Sequence, residues 1–164
     1  MGYLHFPKNE GQPNAMKIEA EIRQEKFQNN LQKAQVNILF TASWLSLRQK
    51  GLLMPFGISP QQFNVLRIVR GFRRPMCIRE LTSRMLDKSS NASRLVVKLI
   101  DKGLVTKETN PADHRFAAIW LTEAGLDLLE KASEVIAKDT AQAGNFLTEA
   151  EAGMLSDLLD KLRG

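Results

Sequence analysis

Residues 78–122 read IRELTSRMLDKSSNASRLVVKLIDKGLVTKETNPADHRFAAIWLT, and their reading decides the fold. A short helix is predicted over Arg79–Met85, with Leu81 and Met85 inward at i and i+4. Leu86-Asp87-Lys88 forms a turn, and a second helix starts near Ser89. In that helix Ala92, Leu95, Val96 and Leu99 follow the core template, leaving Ser90, Asn91, Ser93, Arg94, Val97, Lys98 and Asp101 outside. Gly103 ends it at the C′ position, where a left-handed backbone suits glycine, and Leu99 and Leu104 supply the apolar contact of a Schellman end. Leu104–Thr109 and Phe116–Leu121 are then two strands, with Asn110–Arg115 as their tip. In the second strand Ala117, Ile119 and Leu121 share one face, and Phe116, Ala118 and Trp120 the other.

A helix-turn-helix running into a hairpin is a winged helix, which offers one helix to a DNA major groove and its wing to the neighbouring backbone or minor groove. Charge supports this. The 164-residue chain carries 23 Lys and Arg against 18 Asp and Glu. From Arg67 to Arg115 there are twelve basic and five acidic residues, whereas the remainder is slightly acidic. Positive charge is thus concentrated where phosphates would be met.

Outward from this stretch, Ser59-Pro60-Gln61-Gln62 is a helix start with a capping box, stapled by Ile58 and Phe63. Phe63, Leu66 and Val69 mark the buried edge of that helix, and Met76-Cys77-Ile78 is a candidate short strand. Thr122 caps a helix extending to about residue 144, and Thr148-Glu149-Ala150-Glu151 opens a last one. Upstream, Ile18, Ile22, Phe27, Leu31, Ala34, Ile38, Ala42 and Leu45 suggest a single long helix from Lys17 to Gln49. Its apolar stripe is longer than one small core can cover, which favours a dimer interface over packing against its own domain. Met154, Leu155, Leu158, Leu159 and Leu162 on the short last helix need either the first helix or another subunit to cover them. The expected organisation is a flexible tail over 1–15, an N-terminal dimerisation helix and linker over 16–57, a winged-helix DNA-binding domain over 58–122, and C-terminal helices completing the dimer over 123–164. The fold class is mainly α with a small β-hairpin wing.

The segments ISPQQFNVLRIV, IRELTSRM, SSNASRLVVKLIDKGLV, NPADHR and LTEAG resemble the MarR family of winged-helix transcriptional regulators. The resemblance covers residues 58–129 closely and the flanking helices by pattern. It implies a homodimer joined by its terminal helices, a palindromic operator, and usually repression released by a small ligand or an oxidant. It places the start of the recognition helix on Ser89, Ser90, Asn91, Ser93 and Arg94, with Lys98 one turn on. The family's Asp-x-Arg wing element falls on Asp113-His114-Arg115, where the arginine reaches DNA and the aspartate steadies it. The chain has no cysteine at the start of the first helix where the peroxide-sensing branch keeps one.

Chemistry assigns the contacts. Asn91 suits adenine N6 and N7, and Arg94 suits guanine O6 and N7. Ser89 and Ser90 can cap the helix or meet a phosphate. Lys88, Lys98 and Lys107 are phosphate candidates, and Arg115 suits a narrow minor groove. Cys77, between Met76 and Ile78, reads as a buried inert thiol. His114 at the tip reads as solvated, and Phe40, Trp44 and Phe56 as core in preference to a ligand pocket. The sequence has no metal-ligand cluster, paired catalytic carboxylates, Gly-rich phosphate loop or activated nucleophile, so neither an enzyme nor a cofactor is expected. It has no signal-like segment and no apolar run near the ~20 residues that span a bilayer, so no membrane partner is expected and the expected setting is the cytoplasm. Partners are therefore double-stranded DNA, a second copy and a small-molecule effector. A ligand- or redox-binding dimer using its winged helix to hold another protein is the competing reading.

Overall fold

A computed structural model describes residues 17–164 apart from Pro75, Pro111, Ala112, Gly144 and Asn145, with the side chains of residues 109–117 and 143 also outside the description. The expected tail over 1–15 lies outside the described residues. In order, the elements are α1 (Ile18–Glu21), α2 (Asn30–Leu53), a 3-10 turn (Met54–Phe56), α3 (Pro60–Phe72), α4 (Ile78–Arg84), α5 (Ala92–Asp101), β1 (Val105–Asn110), β2 (Asp113–Leu121), α6 (Glu123–Ala143) and α7 (Glu149–Arg163). Two compact units result: Trp44–Ala141 and, separately, the residues up to Ser43 together with Gln142–Gly164.

The Trp44–Ala141 unit holds the winged helix. Its core joins Phe63, Leu66 and Val69 of α3, Leu81 of α4, Ala92, Val96 and Leu99 of α5, Ile119 of β2 and Leu129 of α6. In α3, α4 and α5 these are the inward positions predicted from periodicity. Local chemistry starts the helices where expected. Ser59 Oγ accepts from the Gln62 amide at 3.2 Å, and Gln62 Oε1 accepts from the Ser59 amide at 3.0 Å, closing the capping box. This bond partner explains why Gln62, a polar residue, can be buried. At the far end of α5, Gly103 takes φ +68°, its amide donates to the Ile100 carbonyl at 2.8 Å, and the Leu104 amide donates to that of Leu99 at 3.0 Å. That is the Schellman geometry, with Leu99 and Leu104 both buried.

The wing is antiparallel, pairing Val105 with Leu121 and Thr109 with Ala117, with a register shift at Asn110. Ile119 faces the core, and Trp120 on the opposite face is partly exposed. The predicted strand over Met76–Ile78 is reduced to one bridge: the Ile119 amide donates to the Met76 carbonyl at 3.0 Å. Ile78 already belongs to α4, because the Glu80 carboxylate accepts from the Cys77 amide at 3.0 Å and starts the helix there.

Two residues join the wing to its neighbours. Thr122 Oγ1 accepts from the Gly125 amide at 3.0 Å, capping α6, and donates to the Gly103 carbonyl at 2.7 Å. Its own amide donates to the Leu104 carbonyl at 3.2 Å. Gly125 lies so close to Leu104 that a Cβ there would sit 2.0 Å from the Leu104 carbonyl oxygen. The LTEAG segment is therefore a cap plus a close crossing.

In the same unit Arg48 of α2 donates Nε to both carboxylate oxygens of Asp139 of α6, at 2.8 and 2.9 Å, and lies over the Trp44 ring at 5.5 Å. Phe56 packs half-buried against the core.

In the other unit the single long helix expected from Lys17 is two. α1 ends at Glu21, Arg23 turns left-handed at φ +54°, and α2 starts at Asn30. The reason is local. Asn29 Oδ1 accepts from the Gln32 amide at 2.8 Å, and Gln32 Oε1 accepts from the Gln28 amide at 2.7 Å, so an N-terminal cap forms inside the stripe. The five-residue step from Ile22 to Phe27 was the sign of this break. Glu19 and Lys33 pair across it. The last helix starts as read, with Thr148 Oγ1 accepting from the Glu151 amide and Glu151 Oε2 from the Thr148 amide.

Candidate nucleic-acid interface

The two halves of α5 differ in what they face. Ala92, Val96 and Leu99 are buried, while Ser93, Arg94, Val97 and Lys98 are exposed. The outer side of this helix is therefore polar and basic, with one apolar residue: Val97, 55% exposed between Arg94 and Lys98. The first turn of α5 contains no acid, so the positive end of its dipole is uncompensated from within the helix.

The start of this helix departs from expectation. It begins at Ala92, three residues later than the Ser89 start read from the sequence. The cap is Asn91, whose Oδ1 accepts from the Arg94 amide at 3.0 Å. Ser89 and Ser90 cap nothing. Asp87 holds both: Oδ1 accepts from the Ser89 amide at 2.9 Å and its hydroxyl at 2.6 Å, and Oδ2 accepts from the Ser90 hydroxyl at 2.6 Å. Asp87 takes the Ser89 amide and both hydroxyl hydrogens, as aspartate does in turns. Those hydroxyls, followed by the Ser89 amide, keep the Asp87 carboxyl below its ordinary range. The result is a tight turn that fixes where α5 begins. It also commits the donors of Ser89 and Ser90 and the acceptor of Asn91, leaving the Asn91 amide nitrogen as its outward group.

Lys88, exposed in the same turn, donates Nζ to the Ser83 carbonyl at 2.5 Å. Lys98 lines a shallow groove of about 390 Å³ with Leu95, Asp101 and Lys102. Lys107 is exposed on β1, opposite Ile119. The backbone of Asp113–Arg115 lies in β2, and the side chains of Asp113, His114 and Arg115 lie outside the described residues. The structure thus brings Lys88, Ser89, Ser90, Asn91, Ser93, Arg94 and Lys98 onto one turn and the helix that follows it.

Cys77 is partly exposed, not buried as read from its neighbours. It occupies the N-cap position of α4, where the chain leaves the Met76 bridge at the surface of the core. The Glu80 carboxyl beside it is held below its ordinary range, first by the Cys77 amide. Among the described residues no cluster of His, Cys, Asp and Glu is arranged to hold a metal ion, and no helix is long and apolar enough to cross a membrane.

Sequence reasoning missed two features of this surface. Val97 was legible as an outward residue, yet its type gave no reason to place it at an interface. Arg84 lies over the Phe72 ring at 4.8 Å, a proximity that only the packing of α3 on α4 creates, and Arg74, two residues from Phe72, lies over the same ring at 4.1 Å.

Comparison with known proteins agrees with this architecture. The MarR family profile matches residues 56–115, from the end of the 3-10 turn to the wing. The uncharacterised HTH-type transcriptional regulator YkoM of Bacillus subtilis is 31% identical over 105 residues, covering 64% of this chain and 68% of that protein. The HTH-type transcriptional repressor IacR of Pseudomonas putida is 29% identical over 83 residues, 51% of this chain and 50% of that protein. The crystal structure of a MarR/EmrR family transcriptional regulator from Acinetobacter sp. ADP1 superposes with a TM-score of 0.68 at 29% identity, covering 82% of this chain and 95% of that one. A winged helix with a basic outward recognition helix, matched in profile, relatives and fold, makes this chain a member of the MarR family of DNA-binding transcriptional regulators.

Proposed function

We propose that two copies of the chain bind a pseudo-palindromic operator and repress transcription from it until a small molecule releases them. The observation that carries the reading is the division of α5 into a buried apolar side and an exposed side bearing Ser93, Arg94, Val97 and Lys98. In this reading residues 58–122 are the reader. Arg94 donates to guanine O6 and N7, and the Val97 side chain meets a thymine methyl. The Asn91 amide donates to a base acceptor while its oxygen keeps the cap. Ser89 and Ser90 position the turn, Ser93 meets a base edge or phosphate, and Lys88, Lys98 and Lys107 neutralise phosphates. Arg115 enters the minor groove beside the wing, steadied by Asp113.

Dimerisation is supported by the apolar side chains left open on the terminal helices: Leu31 and Leu39 of α2, and Met154, Leu155, Leu158 and Leu162 of α7. The repressor named IacR among the relatives supports the direction of control. Release by a small molecule follows from family likeness, and physically it requires an effector with unequal affinity for DNA-ready and DNA-incompetent dimers.

Selection of bound fragments from a random DNA pool tests the reading. The expected product is a pseudo-palindrome with half-sites about one helical turn apart. Binding that is salt-dependent and blind to sequence would replace it with the competing protein-interaction module. On the selected duplex, Arg115→Ala should weaken binding and lower the slope of log K against log salt by about one unit.

A further inference from the structure

A second basic surface lies on α3 and α4, outside the recognition helix and wing. Arg67, Ile68, Gly71 and Phe72 of α3 and Ser83 and Arg84 of α4 line an open groove of about 690 Å³. Phe72 is its floor, half-buried against the core. The guanidinium of Arg84 lies over the Phe72 ring at 4.8 Å and that of Arg74 at 4.1 Å. Arg70 and Arg73 are exposed at the same end of α3. Glu80 is the one acidic residue between Arg67 and Arg84, and it pairs with Arg74 at 3.0 Å.

Stacking on an aromatic ring restrains a guanidinium while leaving its in-plane N–H groups unspent. Arg84 is therefore held planar with its donor fork available, a form suited to phosphate oxygens. A cationic partner would find unfavourable charge here. The groove also adjoins the turn before α5. Ser83, which lines it, receives the Lys88 ammonium on its carbonyl, and Lys88 leads directly into the turn before α5.

We propose that this groove holds the sugar–phosphate backbone of DNA flanking each half-site, so that the footprint extends past the bases read by α5. The proposal rests on the operator-reading function above. Its occupant is the polyanion proposed for α5, in preference to an acidic protein segment, because Lys88, bonded to the groove residue Ser83, leads into the turn before that helix, and five arginines face one acid along residues 67–80.

The test uses the full chain, its Arg67→Gln/Arg84→Gln double variant, and the selected operator in two lengths: trimmed to the two half-sites, and extended by a helical turn of duplex at each end. Both substitutions are at exposed positions, and circular dichroism verifies the fold. On the extended duplex the salt slope should fall by about 0.9 for each phosphate that is no longer neutralised, hence by nearly two per protomer. On the trimmed duplex parent and variant should coincide. An Arg84→Lys variant should keep part of the slope, since the charge remains and the stacked fork does not. Equal losses on both duplexes would place the groove within the half-site and overturn the flanking assignment. Unchanged slopes on both would remove it from the DNA surface, and concurrent loss of poly-glutamate binding would assign it to an acidic protein segment. If the parent selects no sequence, the operator reading fails instead. The groove is then judged by the same slope comparison on long and short random-sequence duplexes.

Discussion

The reader and the terminal helices solve opposite problems. Around the reader, apolar side chains from five helices and the wing close over one another, and Leu99 is 0% exposed. On α7, Leu158 is 57% exposed, and Met154, Leu155 and Leu162 are open beside it. Yet the two leucines follow equally regular helical patterns. Periodicity states which face of a helix is apolar, and not whether the same chain supplies the cover. The difference teaches that the Trp44–Ala141 unit covers its own core, whereas the end helices leave apolar side chains open, which in the proposed dimer a second copy covers.

Substitutions can break or sharpen that contrast. The largest effect should come from Gly125→Val, since even a Cβ at this position meets the Leu104 carbonyl. We expect a loss of about 3 kcal/mol, at the upper end for overpacking, or failure to fold, measured by urea denaturation. Leu99→Ala should cost about 3 kcal/mol through a cavity in the reader, with no dependence of the loss on protein concentration. Leu158→Asp should do the reverse. Circular dichroism of the reader should be unchanged, while sedimentation shows the dimer constant weakened by at least about tenfold, the equivalent of one buried leucine. A protomer that sediments identically with and without this change would end the dimer assignment for α7.

Smaller effects probe the joints of the reader. Thr122→Val removes the α6 cap and the bond to Gly103, and should cost about 1 kcal/mol. The smallest concerns acid. The Asp87 carboxyl is held below its ordinary value of 3.8 by Ser89 and Ser90. A depressed folded-state pKa stabilises above the unfolded value, and that contribution disappears as pH falls through the folded one. The parent should therefore lose stability relative to Asp87→Asn below about pH 4 and keep a constant difference at neutral pH. Parallel acid limbs for the two proteins would show that the Asp87 turn contributes nothing.

What the sequence disclosed follows from how far each interaction reaches along the chain. Ser59 with Gln62, Leu99 with Leu104 through Gly103, and Thr148 with Glu151 are all settled within a few residues, and each was legible. The hydroxyls of Ser89 and Ser90 had two competing local partners, the start of α5 and Asp87, and composition alone could not rank them. Gly125 against Leu104, Arg48 with Asp139, and Arg84 over Phe72 depend on tertiary packing and left no local trace. The break between α1 and α2 was written in Asn29 and Gln32, but the apolar stripe around it carried the stronger pattern.

The crossing at Leu104 has one more consequence. Thr122 binds Gly103 and Leu104, Gly125 presses on the same peptide, and Ile119 is tied to Met76. The end of α5, the base of the hairpin and the start of α6 thus cannot open independently. In hydrogen exchange the amides of Leu104, Ile119, Thr122 and Gly125 should open together, with nearly equal protection, as a single cooperative block.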